Sequence, residues 1–400
     1  MDRHIAIIGA GQAGATLAMH LRELGHAGRL TMFGDEPYPP YQRPPLSKKY
    51  LSGEWGAERL YLGDAQAWKT LDVEIRSNAR VTAFDAARKT LEVGGEQIAW
   101  DRLALATGAA PRPVPPVFAG RDGVFDLRTM ADVDRLRGAF TPGARLAIIG
   151  GGFIGLETAA VAVKHGLDVC VIERAGRLME RAVGPATSEA FRALHEAHGV
   201  RVLLASGVAS VAGDGHVRSL TLLDGTVLPV DLVLIGIGVL PATALAAEAG
   251  LATGDGIMVD AYGRTSAPDV WAAGDCACFP YGERVLRLES VQNAIEHAKA
   301  VAADMLGQGQ PYRPVPWFWS DQYEAKLQIA GLSQGAGNVV TRRSRAGESH
   351  WYFKGDQFIA VEAISDAQAF MTGRRLLAAG INVPAQSLAD AQFDPRTCLV

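Results

Sequence analysis

An α/β protein with two nucleotide-binding units and a C-terminal α+β domain is the fold class that this 400-residue sequence predicts. Three observations predict it. A short apolar run enters a glycine-rich turn at the N-terminus, and the same grammar recurs near residue 150. Beyond Pro314 the glycine fingerprints stop, and tryptophan and tyrosine appear among alternating, strand-like stretches. The first two features describe two Rossmann-like domains, because a strand, a glycine turn and a helix together make a dinucleotide cradle. The third describes a domain of different construction.

Size and composition agree with this plan. Four hundred residues exceed what one hydrophobic core organises and suit two or three domains. Apolar content of 48% and charged content of 20% are those of an ordinary globular chain, while 45 glycines exceed the usual share of about 7%. Many backbone positions must therefore be tight. The net charge of −4 excludes a broad electrostatic attraction to nucleic acid or to an anionic membrane. Met1-Asp2-Arg3-His4 runs straight into an apolar strand without the order of a signal peptide. The longest uncharged run, Leu232 to Ala247, is broken by Gly236, Gly238 and Pro241 and falls short of the ~20 residues of a spanning helix. The expectation is a cytoplasmic protein that binds no nucleic acid and no membrane. Cys170, Cys276, Cys278 and Cys398 contain no CxxC pair, so neither a disulfide framework nor a metal site is expected.

The elements follow in order. His4 to Ile8 reads as a buried parallel strand and enters Gly9-Ala10-Gly11-Gln12-Ala13-Gly14. An amphipathic helix to about Leu24 follows, then a strand at Arg29 to Phe33. In the second unit Leu146 to Ile149 leads into Gly150-Gly151-Gly152-Phe153-Ile154-Gly155, a helix to about His165, and a strand from Val169 to Glu173. Strands ending at Ala106-Thr107-Gly108, at Gly236-Ile237-Gly238 and at Gly274-Asp275 leave room for a cofactor against a sheet's carboxyl edge. The prolines between Ala110 and Pro116, and Val239-Leu240-Pro241, mark crossings between domains. The expected division is a discontinuous FAD-binding domain over 1–110 and 239–316, an NAD-binding domain over 111–238, and a C-terminal α+β domain over 317–400.

Each glycine of the triplet has a mechanical purpose. The first makes the strand-to-helix turn, the second lets backbone N–H groups approach a pyrophosphate, and the third lets helix pack on strand. The acidic residue ending the following strand sorts the ligands. Glu173 suits both ribose hydroxyls of NAD and repels a 2′-phosphate, although Arg174 adjoins it. In the first unit Asp35 and Glu36 are both placed for the ribose of FAD.

The run Arg43-Pro44-Pro45-Leu46-Ser47-Lys48, the Ala106-Thr107-Gly108 end, Gly150 to Glu157, Gly274-Asp275-Cys276, Glu289 to Ala294 and Pro316 to Tyr323 together resemble the NADH-dependent ferredoxin reductases. These are glutathione-reductase-like flavoproteins. The resemblance covers the whole chain; its most specific segments are Arg-Pro-Pro-Leu-Ser-Lys and Trp-x-Trp-Ser-Asp-Gln. It implies that Lys48 sits by the flavin N5/O4 edge, paired with Glu157, with Pro45 near the ring. It implies FAD contacts for Gly9, Gly11, Gln12, Ala13, Gly14, Asp35, Arg43, Val81, Ala106, Thr107, Gly108, Arg128, Gly274 and Asp275. By the same resemblance the helix starting near Ser290, with Val291 in its first turn, would aim its N-terminus at the flavin O2. Phe153 would cover the flavin until nicotinamide displaces it, and Trp319 would flank the ring where electrons leave. Gly150, Gly152, Ile154, Gly155, Glu173, Arg174, Arg181, Gly236 and Gly238 complete the set expected around NADH.

The implied partner is a [2Fe-2S] ferredoxin that supplies a cytochrome P450 or a ring-hydroxylating dioxygenase, and the implied assembly is a monomer or weak homodimer. The alternatives are a rubredoxin reductase or a flavin-bearing binding protein like apoptosis-inducing factor. A related oxidase or peroxidase would need a cysteine at the flavin, and disulfide reductases of this architecture need a Cys pair where this chain has Tyr38 to Leu51 without one. Cys276 and Cys278 read as packing residues. Trp317 and Trp319 share one face of a strand. His195 and His198 read as surface residues. Arg313, Arg342, Arg343, Arg345, Arg374 and Arg375 are the cations expected to meet an acidic ferredoxin.

Overall fold

The computed structural model describes residues 3–399, which divide into two compact units. The first comprises residues up to Arg43, Ala57–Ala110 and Val239–Pro314; the second comprises Pro44–Gly56, Pro111–Gly238 and Val315 onward.

In the first unit Ile5–Ile8 is the central strand of a five-stranded parallel sheet. Leu30–Phe33 and then Glu74–Arg76 lie on one side, Arg102–Leu105 and then Val270–Ala272 on the other. All four residues of the central strand are buried, because parallel strands have helices or other layers on both faces. The helix Gln12–Glu23 packs with Val291–Met305 over one apolar cluster containing Leu17, Leu21, Val301 and Met305. The other face is covered by the antiparallel meander of Val81–Asp85, Thr90–Val93 and Glu96–Ala99.

The second unit repeats the plan. Arg145–Ile149 is central, with Asp168–Ile172 and Arg201–Leu203 on one side and Leu232–Ile235 and Val124–Phe125 on the other, all parallel. A meander of Val208–Ala212, Ser219–Leu222 and Val227–Pro229 covers one face. The same unit holds a five-stranded antiparallel sheet in the order Trp317–Gln322, Ala325–Gly331, Gln357–Ile364, Glu348–Lys354, Asn338–Arg343. The helix Ala367–Ala379 lies on that sheet through Phe370 and Leu376, against Trp351, Phe353 and Val361.

Glu362, on the Gln357–Ile364 strand, is fully buried. It accepts from Gly184 N, from Thr187 Oγ1 at 2.5 Å, from Ser333 Oγ at 3.0 Å and from Tyr352 O–H at 2.9 Å. Gly184 is the N-cap of the helix Pro185–Ala197 and has no side chain with which to satisfy its first amides. The carboxylate therefore supplies both the acceptor and the negative charge that this helix end favours.

His297 is an internal imidazole of the first unit. It is fully buried, stacked on Tyr312 at 4.7 Å and edge-on to Phe279, and neither ring nitrogen has a hydrogen-bond partner among the described residues. Burial pushes its pKa down to about 3. Because the folded chain refuses a proton that the unfolded chain takes up near pH 6.5, stability is complete above that pH and declines as pH falls towards 3. We predict that His297→Phe leaves stability at pH 7 within about 1 kcal/mol and flattens the acid limb by up to about 1.4 kcal/mol per pH unit. Urea unfolding at pH 7, 6 and 5 checks this; parallel acid limbs for the two proteins would refute it.

Candidate functional site

The cradle of the first unit starts with the backbone at Gly9, whose φ of +117° turns the chain from strand to helix. A Cβ at Gly9 would stand 2.1 Å from Ala106 O, and one at Gly14 would stand 1.9 Å from Gly9 O. First and third glycines are thus required by backbone packing. Gly11 differs, since a Cβ there would meet nothing within 4 Å. As N-cap of the helix it offers no side-chain acceptor to the first amides. A pyrophosphate suits such a helix end through both the amides and the helix dipole.

Other expected residues gather at the same sheet edge. Gly274 lies against Ala13, with a virtual Cβ 2.9 Å from the alanine Cβ, and carries Asp275 beside the loop. Ala106 to Gly108 follow the Arg102–Leu105 strand, and Thr107 Oγ1 donates to Ala242 O at 2.7 Å. Gln12 and Ala13 open the glycine helix, and Val291 opens the helix capped by Ser290. Val81 is buried at the start of its meander strand. Arg43 forms an ion pair with Glu36 at 2.7 Å and donates to Tyr41 Oη, whose O–H donates to Glu36 in turn. Glu36 is therefore engaged, and the exposed Asp35 is the acid left open at that strand end.

The second cradle has the same geometry. Gly150 has a φ of +107°, its virtual Cβ would stand 2.4 Å from Gly236 O, and that of Gly155 would stand 2.4 Å from Gly150 O. Gly152 faces open space and caps the helix Phe153–Lys164 without a side-chain bond. Glu173 reaches over the loop: Oε2 accepts from Gly151 N at 2.6 Å and Oε1 from Ala175 N at 2.7 Å. Each oxygen keeps a second lone pair for a ribose hydroxyl. Arg174 is exposed, and Arg181 Nη2 stands 3.1 Å from the virtual Cβ of Gly238. A dinucleotide thus fits each cradle. Phe153 and the exposed Ile154 begin the glycine helix, and the Phe153 ring lies 4.5 Å from that of Phe318. Trp319 is half-buried beside Trp317, centroids 5.6 Å apart, on the shared strand face.

The second unit also unites Lys48 and Glu157. Pro44–Ser47 forms a 3-10 turn with Pro45 buried, after which Lys48 Nζ reaches Glu157 Oε2 at 2.7 Å and Pro44 O at 3.2 Å. Glu157 has a side-chain exposure of 5% and takes two further donors: Ser47 Oγ on Oε2 at 2.5 Å and Ser320 Oγ on Oε1 at 2.6 Å. Arg128 precedes the capping box of Thr129 and Asp132, its amide donating to Asp132 Oδ2 at 3.2 Å.

Two expectations need correction. His195 is not a surface residue: it is fully buried, its Nε2 is 2.8 Å from Gln322 Oε1, and its partner Gln322 donates to Ser320 Oγ at 3.1 Å. His198 is half-buried, stacked at 3.7 Å on Tyr323. The burial follows from the helix period, which puts His195 on the inward face with Thr187, Ser188 and Phe191. The arginine group is likewise not uniformly available. Arg342 turns to the carbonyls of Leu388, Asp390 and Phe393, and Arg374 lies over Trp317 and Phe370. Arg313, Arg343, Arg345 and Arg375 are exposed, Arg343 with Glu348 at 3.1 Å.

Ser47, Ser320 and Gln322 lie inside the motifs quoted above but carry no expected role there. The signal for Ser320 and Gln322 is the period of two, which puts both on one strand face; Ser47, in a 3-10 turn, has none. The cysteines are unpaired, and burial raises the thiols of Cys276 and Cys278, the latter to about 11. Neither is a thiolate at neutral pH.

Among known proteins, the model of the pyridine nucleotide-disulphide oxidoreductases matches residues 3–298, and that of the reductase C-terminal domain matches 317–399. The chain is 41% identical over 401 residues to rhodocoxin reductase of Rhodococcus erythropolis, covering 99% of this chain and 94% of that protein. The crystal structure of the ferredoxin reductase for the CYP199A2 system from Rhodopseudomonas palustris matches with a TM-score of 0.96 and 38% identity, covering 100% of both chains. Putidaredoxin reductase, in its covalent complex with putidaredoxin, matches with a TM-score of 0.95 and 35% identity over 100% of this chain and 98% of that one. With both glycine cradles and the C-terminal sheet accounted for by these matches, the chain belongs to the pyridine nucleotide-disulphide oxidoreductase family, in the ferredoxin-reductase branch that carries the reductase C-terminal domain.

Proposed function

We infer that the protein is an FAD-dependent NADH:ferredoxin oxidoreductase that delivers electrons singly to a [2Fe-2S] ferredoxin serving a cytochrome P450 or a ring-hydroxylating dioxygenase. The observation that carries this reading is the doubled cradle, in which Gly11 and Gly152 each leave a helix N-terminus open to a pyrophosphate. Bound FAD supplies the conversion of a two-electron hydride donor into one-electron transfers, which a [2Fe-2S] cluster accepts one at a time. The chain's own residues select and orient. The first cradle, with Asp35, Arg43 and Asp275, holds FAD, and the second holds NADH.

Glu173 favours the unphosphorylated ribose, because a 2′-phosphate would face a carboxylate already fixed by two backbone amides. Lys48, tied to Glu157, is the cation assigned to the flavin edge, where positive charge favours a reduced, anionic ring. Trp319 is assigned to the side of electron exit. Protonated Cys276 and Cys278 favour direct delivery over a dithiol relay. For an acidic ferredoxin the exposed Arg313, Arg343, Arg345 and Arg375 are the remaining candidates for steering, which fades as salt rises.

Three outcomes are expected. NADH-driven reduction of cytochrome c rises at least about tenfold when a [2Fe-2S] ferredoxin is added; equal rates with and without it would sink the assignment of partner. The native enzyme prefers NADH to NADPH in kcat/KM, and Glu173→Ala reduces that preference about tenfold; an unchanged ratio would assign the discrimination to other groups. Replacing all four cysteines by Ser or Ala keeps ferredoxin-linked activity within about threefold for the folded protein, and a loss beyond about tenfold would mean that a thiol takes part.

A further inference from the structure

We propose that His195 and Gln322 are positioning residues for the Lys48–Glu157 pair: a one-way hydrogen-bond chain through Tyr323, His195, Gln322 and Ser320 fixes the carboxylate and, through it, the lysine ammonium. The proposal rests on the reading above that Lys48 acts on the flavin. The chain itself lies wholly within the second unit.

Every link has one permitted direction. Lys48 has only donors, so Glu157 must accept from it. Ser47 completes Oε2, which leaves Oε1 to the Ser320 hydroxyl. Having donated its single proton, Ser320 must accept, and Gln322 Nε2 donates to it at 3.1 Å. That orientation turns Gln322 Oε1 towards His195 Nε2 at 2.8 Å, which assigns the ring proton to Nε2. His195 Nδ1 is then an acceptor facing the Tyr323 O–H at 3.4 Å. Ser320, Gln322 and His195 are each at most 1% exposed, so no water competes for these bonds.

Both ends are held. His195 belongs to the helix Pro185–Ala197, whose first turn is fastened by the buried Glu362. Tyr323 sits at the hairpin tip with a φ of +53°, a conformation costly for an aromatic residue. It keeps that place between an edge-on His195 at 5.1 Å and a stacked His198 at 3.7 Å. Burial lowers the pKa of His195, outweighing the hydrogen bond it donates to Gln322, so the ring is neutral and able to donate at one nitrogen while accepting at the other.

Cutting the chain removes order from Ser320, and Glu157 Oε1 loses a fixed donor in a buried place. The carboxylate then draws more heavily on Lys48, and less of the ammonium's field reaches the flavin. The test uses the FAD-loaded enzyme, with the flavin midpoint potential, the rate of flavin reduction by NADH and the Tm measured for each variant. Lys48→Met should lower the potential most. Ser320→Ala, Gln322→Leu and His195→Leu should lower it by a three- to tenfold change in the reduction equilibrium, up to about 30 mV for a two-electron couple. His195→Gln, which offers an amide donor near the place of Nε2, should restore it. In a Lys48→Met background the same three substitutions should shift nothing further. An unchanged potential in Lys48→Met overturns the assignment of that lysine to the flavin and this inference with it. A shift in Lys48→Met, with folded Ser320→Ala and Gln322→Leu leaving the potential in place or shifting it equally in the Lys48→Met background, overturns the chain alone.

Discussion

A carboxylate withdrawn from water costs several kcal/mol unless donors surround it, and much of the second unit is arranged to meet that demand at Glu157. The residue is 4% exposed and rises from the glycine helix Phe153–Lys164, so the element that opens the second cradle also carries the buried charge. Its three donors come from two distant places in the sequence: Ser47 and Lys48 from the turn after the two prolines, Ser320 from the Trp317–Gln322 strand. None of these segments is a neighbour in the chain. Satisfying one anion therefore brings a turn, a helix and a sheet edge into register, and removing any donor leaves the others around an underpaid charge. Glu362 runs the opposite way, from the antiparallel sheet to the start of Pro185–Ala197.

The two cradles show how little side-chain chemistry a pyrophosphate site needs. In each, the first and third glycines are fixed by backbone contacts that a methyl group would violate, and the middle glycine alone opens outward. The duplication is of backbone geometry. What differs is the acid beyond the second strand. Glu173 is tied to the loop by two amides, while Glu36 is neutralised by Arg43 and Tyr41 and Asp35 stays exposed. One architecture thus presents two strand-end acids held with different rigidity.

Legibility in the sequence followed the range of the interaction. Strand, glycine turn and helix are local, and Ile5–Ile8, Gln12–Glu23, Arg145–Ile149 and Phe153–Lys164 lie where apolar period and glycine spacing put them. The Lys48–Glu157 pair came from resemblance, since no periodicity joins a turn to a helix so far along the chain. His195 was misjudged for a related reason. A histidine near a second histidine, without a carboxylate, looks like surface; only the amphipathic period with Phe191 at i−4 pointed inward, and its partner Gln322 belongs to a different sheet. Arg342 looked like one of several exposed cations, because the backbone carbonyls that capture it, at Leu388, Asp390 and Phe393, carry no signature in side-chain identity.

The polar chain also explains why the hairpin tip bears strain. A tyrosine at φ +53° is poor local design, and an asparagine or glycine would turn there at less cost. Neither would stack on His198 or present a hydroxyl to His195. A local loss of about 1–3 kcal/mol persists only where the surroundings over-determine the conformation. Here they do so through a helix whose own N-terminus depends on Glu362, so the strained tip, the neutral histidine and the two buried carboxylates form one connected system. Local rules fail along that system because its bonds join distant segments, with the donors ordered from Tyr323 to Glu157.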